Sequence, residues 1–175
     1  MNKKLYILIL LIFIGGIFLW DLQDRHSFTV DCKSKKVLTY FYSSGSMDSI
    51  QKKYTQNFEN PLYSYPGEQV AKVVIIPNIP VLGRFSKYKL TKTQREHLLS
   101  FLNNPDNFTW KTTDMLRANA DYILLLYNQK GKEIGKIWFC SQCHQLKIIP
   151  FSPNYKFGYL KSGSTKMLLE IIQNN

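Results

Sequence analysis

The run Asp121-Tyr-Ile-Leu-Leu-Leu-Tyr127, Asn128-Gln-Lys-Gly131-Lys132, Glu133-Ile-Gly-Lys-Ile-Trp-Phe139, Cys140-Ser-Gln-Cys143-His144 decides how this chain is built. Two stretches rich in Ile, Tyr, Trp and Phe flank a polar loop containing Gly131, which predicts a β-hairpin. A further apolar stretch, Leu146-Lys-Ile-Ile149, predicts a third strand. The two cysteines and the histidine fall where the second strand turns into the third. Nowhere else do residue types capable of chemistry crowd at a meaningful spacing.

Toward the N-terminal side, Thr91 with Gln94 three residues on has the form of a capping box. Leu98, Leu99, Phe101 and Leu102 follow with helical spacing, Arg95 and Glu96 fall on the polar side, and Asn103-Asn104-Pro105 is a stop signal. Phe108 and Trp110 are expected to close against the end of that helix. Residues 69–76 predict a strand ended by Pro77, and residues 84–90 an imperfectly alternating edge strand. Residues 36–42 have strand composition. Residues 48–58 carry Ile50, Tyr54 and Phe58 on one stripe of a short helix capped by Ser46 or Asp48. Residues 61–66, with two prolines, predict irregular backbone. Toward the C-terminus, 157–160 is a short extended piece, and Ser164 caps a last helix over 165–173 with Met167, Leu168, Ile171 and Ile172 turned inward. Strands and separate helices without a regular βαβ alternation predict an α+β fold with a mainly antiparallel sheet.

The first twenty residues are of another kind. Lys3 and Lys4 precede an apolar run from Leu5 to Trp20, with Asp21 and Asp24 after it. Those residues span about 24 Å as a helix, a little short of a bilayer core of about 30 Å, and Tyr6, Trp20 and the two lysines suit the interfaces. Phe18-Leu19-Trp20-Asp21 offers no small-residue cleavage site, and Cys32 follows Phe28-Thr29-Val30-Asp31 rather than a lipoprotein box. The expectation is an uncleaved, single-pass signal anchor over residues 1–20, a polar stalk over 21–35, and an extracytoplasmic domain over 36–175. The lysines place the N-terminus in the cytoplasm.

The 175 residues carry a formal charge of +11. Lys33, Lys35, Lys52, Lys72, Lys87, Lys111, Lys130 and Lys161 are scattered along the chain, and no helix-turn-helix, RNP or finger pattern is present. The lysines therefore read as a solvated surface with some attraction to anionic headgroups, and no nucleic-acid partner is expected.

Cys140, Cys143 and His144 admit several chemistries. In covalent haem attachment both thiols add to vinyl groups and the adjacent histidine binds iron, with Met167, His97 or Met115 as the available distal ligands. A zinc site needs four ligands, so His26, Cys32 or His97 would have to join the motif. A redox-active disulfide is a third possibility, without the βαβ surroundings of a thioredoxin. The plain structural alternative is a local disulfide, or packed thiols, at the sheet end with His144 at the surface and Cys32 left over or bonded to one of the pair. His97 reads as a surface group. Asp114, Asp121 and Glu133 form no spaced acid–base pair. Ser43-Ser44-Gly45-Ser46 is no nucleophile elbow, and no phosphate-cradling loop is present.

Residues 90–150 carry a helix ending Leu102-Asn103-Asn104-Pro105, then Asn107-Phe108, a hairpin with Tyr127-Asn128 and Gly131, and a strand running into Cys140-x-x-Cys143. In these features the chain resembles a family of small exported or membrane-attached bacterial proteins of unknown function. The match covers roughly a third of the chain. It implies the fold and the cysteine pair, and no activity. In that family the residue after the second cysteine need not be histidine, and Pro and His are frequent where this chain has Asn119-Ala120-Asp121-Tyr122. Taken together, the residues lead to a membrane-anchored extracytoplasmic protein with no cofactor. Its expected role is a non-enzymatic binding or protective, immunity-type module with a protein partner in the envelope. A redox or c-type haem protein is the rival.

Overall fold

The structure is a computed structural model that describes residues 3–24, 28–29, 64–79, 82–109, 117–118, 120–150, 152–156 and 158–173. The strand expected at 36–42, the helix at 48–58, Trp110, Met115, His26 and Cys32 lie outside these residues.

Seven strands form one sheet: β2 (Lys72–Pro77), β3 (Tyr88–Lys89), β4 (Phe108–Thr109), β6 (Tyr122–Tyr127), β7 (Glu133–Cys140), β8 (Gln145–Ile149) and β9 (Tyr159–Leu160). Their spatial order is β3-β2-β6-β7-β8-β9-β4, and every neighbouring pair is antiparallel. The α+β class and the mainly antiparallel sheet are as the sequence predicts. The hairpin β6–β7 is its centre. Gly131 takes φ +75 in the connecting loop, and the Asn128 side chain accepts hydrogen bonds from the Lys130 and Lys132 N–H groups.

Alternation sets the faces. Val73 and Ile75, Leu124 and Leu126, Ile137 and Phe139, Leu146 and Ile148 share one face and are all buried. Helices α2 (Lys92–Asn103) and α3 (Ser164–Gln173) join the same core through Leu98, Phe101, Leu102, Leu168 and Ile172. The capping box at Thr91 is formed in both directions, at 2.9 and 3.2 Å. Gln94 does more than cap: its Nε2 donates to Ile171 O at 3.2 Å, which explains a buried glutamine and ties α2 to α3. Tyr88 Oη donates to Ile172 O at 2.8 Å, holding the end of α3 to the edge strand. Phe108 meets Phe101 and Tyr155 edge-on, so it closes against the end of α2 as expected.

Several expectations are corrected. Met167 is 51 % exposed, because the buried stripe of α3 runs Ser164, Thr165, Leu168, Ile172 and leaves Met167 on its flank, with Ile171 only half-buried. The edge strand is confined to Tyr88–Lys89. Residues Leu82–Arg84 form a 3-10 turn that leaves Phe85 78 % exposed. Strand β2 ends on Pro77 rather than before it, since β3 pairs only Val74 and Ile75 and makes no demand on a donor at Pro77. Arg95 is not left to solvent: its guanidinium donates to Ala71 O.

At the N-terminus, α1 covers Lys3–Asp24, four residues past the boundary at residue 20, because Asp21 and Asp24 end an apolar run without ending a helix. Two residues of the presumed stalk form β1 (Phe28–Thr29), paired antiparallel with β5 (Arg117–Ala118). The part of α1 whose side chains are described, residues 5–17, is about 20 Å long. Among the described residues no helix is long and apolar enough to cross a membrane.

Candidate functional site

The Cys-x-x-Cys-His segment sits where the sequence places it, in the tight turn between β7 and β8. Cys140 is the last residue of β7, and its Cα lies 5.4 Å from that of Cys143, to which it is disulfide-bonded. Cys140 is 2 % exposed, whereas Cys143 is only partly buried. The Cys143 N–H donates to Cys140 Sγ at 3.1 Å. Ala120 and Trp138 pack around the pair as a small cluster apart from the main core.

Three struts hold the turn. The Asp121 carboxylate accepts from Ser141 twice, once from the backbone N–H and once from the hydroxyl. His144 takes a left-handed backbone, φ +53, which returns the chain into β8 at a cost of about 1 kcal/mol for a non-glycine residue. Its carbonyl accepts from Leu160 N–H at 2.9 Å, and its Nδ1 lies 2.8 Å from Thr165 Oγ1 in the first turn of α3. His144 is thus exposed and tied to a helix terminus. Thr165 is buried, so the pair is a strut and not an accessible nucleophile with its base.

The fourth neighbour is Gln145. It opposes Cys140 across the ladder and therefore projects from the same sheet face. Gln145 is fully buried, and among the described residues neither its Oε1 nor its Nε2 has a hydrogen-bond partner. Leaving such an amide unpaired costs on the order of 1–3 kcal/mol. On that face Lys136 and Lys147 also bracket Trp138, their ammonium groups 4.9 and 5.4 Å from the ring centre.

A bonded pair must first be reduced before either sulfur serves as a thiolate for zinc or a thiol for a haem vinyl group. Among the described residues no three His, Cys, Asp or Glu side chains converge as a metal site. His97 and Met167, named as possible ligands, line an open groove of about 490 Å³ between α2 and α3, with Phe101 and Glu170. A second cleft, about 450 Å³, is lined by Asn78, Ile79, Ala120, Asp121 and Tyr122, and Ala120 is its wall toward the disulfide.

No family model, curated protein or solved structure matches the chain. Asp121, Thr165 and Gln145 are the residues that reading the motif alone passes over. Asp121 and Thr165 are 20 and 21 positions from their partners, with no local signal. Gln145 does leave one: strand parity puts a lone amide on the face of Cys140.

Proposed function

We propose that this is a single-pass membrane protein, N-terminus in the cytoplasm. Its α+β domain stands outside as a non-enzymatic binding or protective module of the bacterial envelope, acting on a protein partner. The observation that carries the reading is α1. From Leu5 to Ile14, ten consecutive apolar side chains are each 45–67 % exposed, with no polar face among them. A helix apolar all round belongs in lipid or in a core. Leaving ten such side chains in water forgoes well over about 10 kcal/mol of burial. The stretch of α1 with described side chains, residues 5–17, falls short of a bilayer core by itself, whereas the whole 22-residue helix extends about 33 Å against a core of about 30 Å. Lys3 and Lys4 favour the cytoplasmic side for the N-terminus. A formed Cys140–Cys143 bond supports an oxidising compartment for the domain.

The haem and zinc alternatives both begin from a reduced pair, and the bonded pair favours the binding module over them. The test is fractionation of cells expressing the full chain with a C-terminal tag. Membrane pelleting that resists carbonate, with the tag cleaved by protease added to spheroplasts, is the expected result. Recovery of the full chain in the soluble fraction sinks the reading. A Soret band surviving acid-acetone extraction, or stoichiometric zinc, would establish the alternatives in its place.

A further inference from the structure

We propose that the Cys140–Cys143 disulfide is an exchange site for an external thiol rather than an inert staple, with Cys143 the sulfur attacked and Cys140 the sulfur that leaves. This inference rests on the turn alone and stands independently of the membrane reading.

Thiol–disulfide exchange is governed by access to one sulfur and by how well the other carries negative charge as it departs. The pair is asymmetric in both respects. Cys143 is partly exposed while Cys140 is sealed at 2 %. An incoming thiolate must approach along the S–S axis, and the partly exposed residue of the pair is Cys143. Cys140 already accepts the Cys143 N–H at 3.1 Å, a bond that strengthens as its sulfur becomes anionic. The fully buried Gln145 amide, across the ladder from Cys140, has no partner among the described residues in the bonded state. A buried donor without an acceptor makes sense if an acceptor develops beside it, and the Cys140 thiolate is that acceptor. The Ala120 and Asp121 wall of the second cleft borders the same cluster, so a thiol-bearing chain can lie alongside.

The co-reactant is an external thiol. A thiolate R–S⁻ attacks Cys143 Sγ, the Cys140–Cys143 bond breaks, and the products are an R–S–Cys143 mixed disulfide and the Cys140 thiolate. A second R–S⁻ then attacks the sulfur of the R group, giving R–S–S–R and the Cys143 thiolate. Two protons from the two thiols end on the cysteines. The protein pair gains two electrons and the thiols lose them.

The experiment uses the full chain in detergent with reduced glutathione as the probe. Samples are quenched in acid and mapped at fragment level, which separates Cys140, Cys143 and Cys32. Glutathione on Cys143, forming at least tenfold faster than global unfolding under the same conditions, is expected. Glutathione on Cys140, or reduction no faster than unfolding, overturns the proposal. Gln145→Met, which keeps the length and removes the amide, should slow attack about tenfold. It should also raise the Cys140 thiol pKa in the reduced protein. An unchanged rate and pKa overturn the assignment of the Gln145 amide as the donor to the departing Cys140 sulfur. If that variant fails to fold, the wild-type mapping still decides which sulfur is attacked.

Discussion

One carboxylate oxygen of Asp121 accepts both the backbone N–H and the hydroxyl of Ser141, each at 2.6 Å. The residue just before β6 thereby holds the turn that follows β7, the same turn that the Cys140–Cys143 bond closes. Hydrogen bonds to a charged acceptor in a half-buried site are worth roughly 1.5–3 kcal/mol each. Asp121→Ala should therefore lower stability by about 2–4 kcal/mol and Ser141→Ala by about 1–2. In a double-mutant cycle, Ser141→Ala should cost little once Asp121 is gone. Urea melts of the four proteins measure this, and additive losses would mean the two residues do not act together.

Gly158 has φ +80, and a Cβ there would run into Leu146 O and the Tyr155 ring. The left-handed penalty and the clash add, so Gly158→Ala should cost about 3 kcal/mol or more. Gly131 is the internal control. It has φ +75 but open space around it, so Gly131→Ala should cost only about 1–2 kcal/mol. Thermal melts compare the two, and equal losses would show that packing at Gly158 contributes nothing.

On α3, neighbouring residues should behave oppositely. Leu168 is 1 % exposed and Met167 51 %. Leu168→Ala should cost about 2–5 kcal/mol, whereas Met167→Ala should stay within about 0.5. A large loss at Met167 would mean the helix is rotated relative to the arrangement described.

Tyr65 predicts an alkaline limit. Burial, and after it the negative charge of Glu133, raise its phenol well above the ordinary value near 10. Its hydroxyl donates to Ile149 O at 3.2 Å beneath the sheet. A group whose folded pKa is raised stabilises fully below its unfolded pKa, and that contribution is lost as pH climbs beyond it. Stability should hold below about pH 10 and fall above it as the phenol is forced to ionise. Tyr65→Phe should lose about 1 kcal/mol at neutral pH yet show a shallower alkaline limb. Denaturant midpoints from pH 7 to 11 test it, and parallel limbs would contradict it.

How much of this was written in the chain depends on the range of the interaction. The β6–β7 hairpin, the Thr91–Gln94 box and the stop at Asn103-Asn104-Pro105 arise from contacts within a few residues, so composition and spacing dictate them before any tertiary contact forms. Placing the cysteines in the β7–β8 turn follows from the same local logic. What only the folded chain decided was set by partners distant in sequence. The sheet order puts β9 beside β8 and β4 beyond β9, Asp121 reaches Ser141, His144 meets Thr165, and Met167 is left outside because α3 buries only one stripe. The disulfide itself lies between these cases. Its spacing was legible, but which sulfur is sealed and what amide lies beside it depend on strand pairing and on the packing of Ala120 and Trp138, which no local pattern encodes.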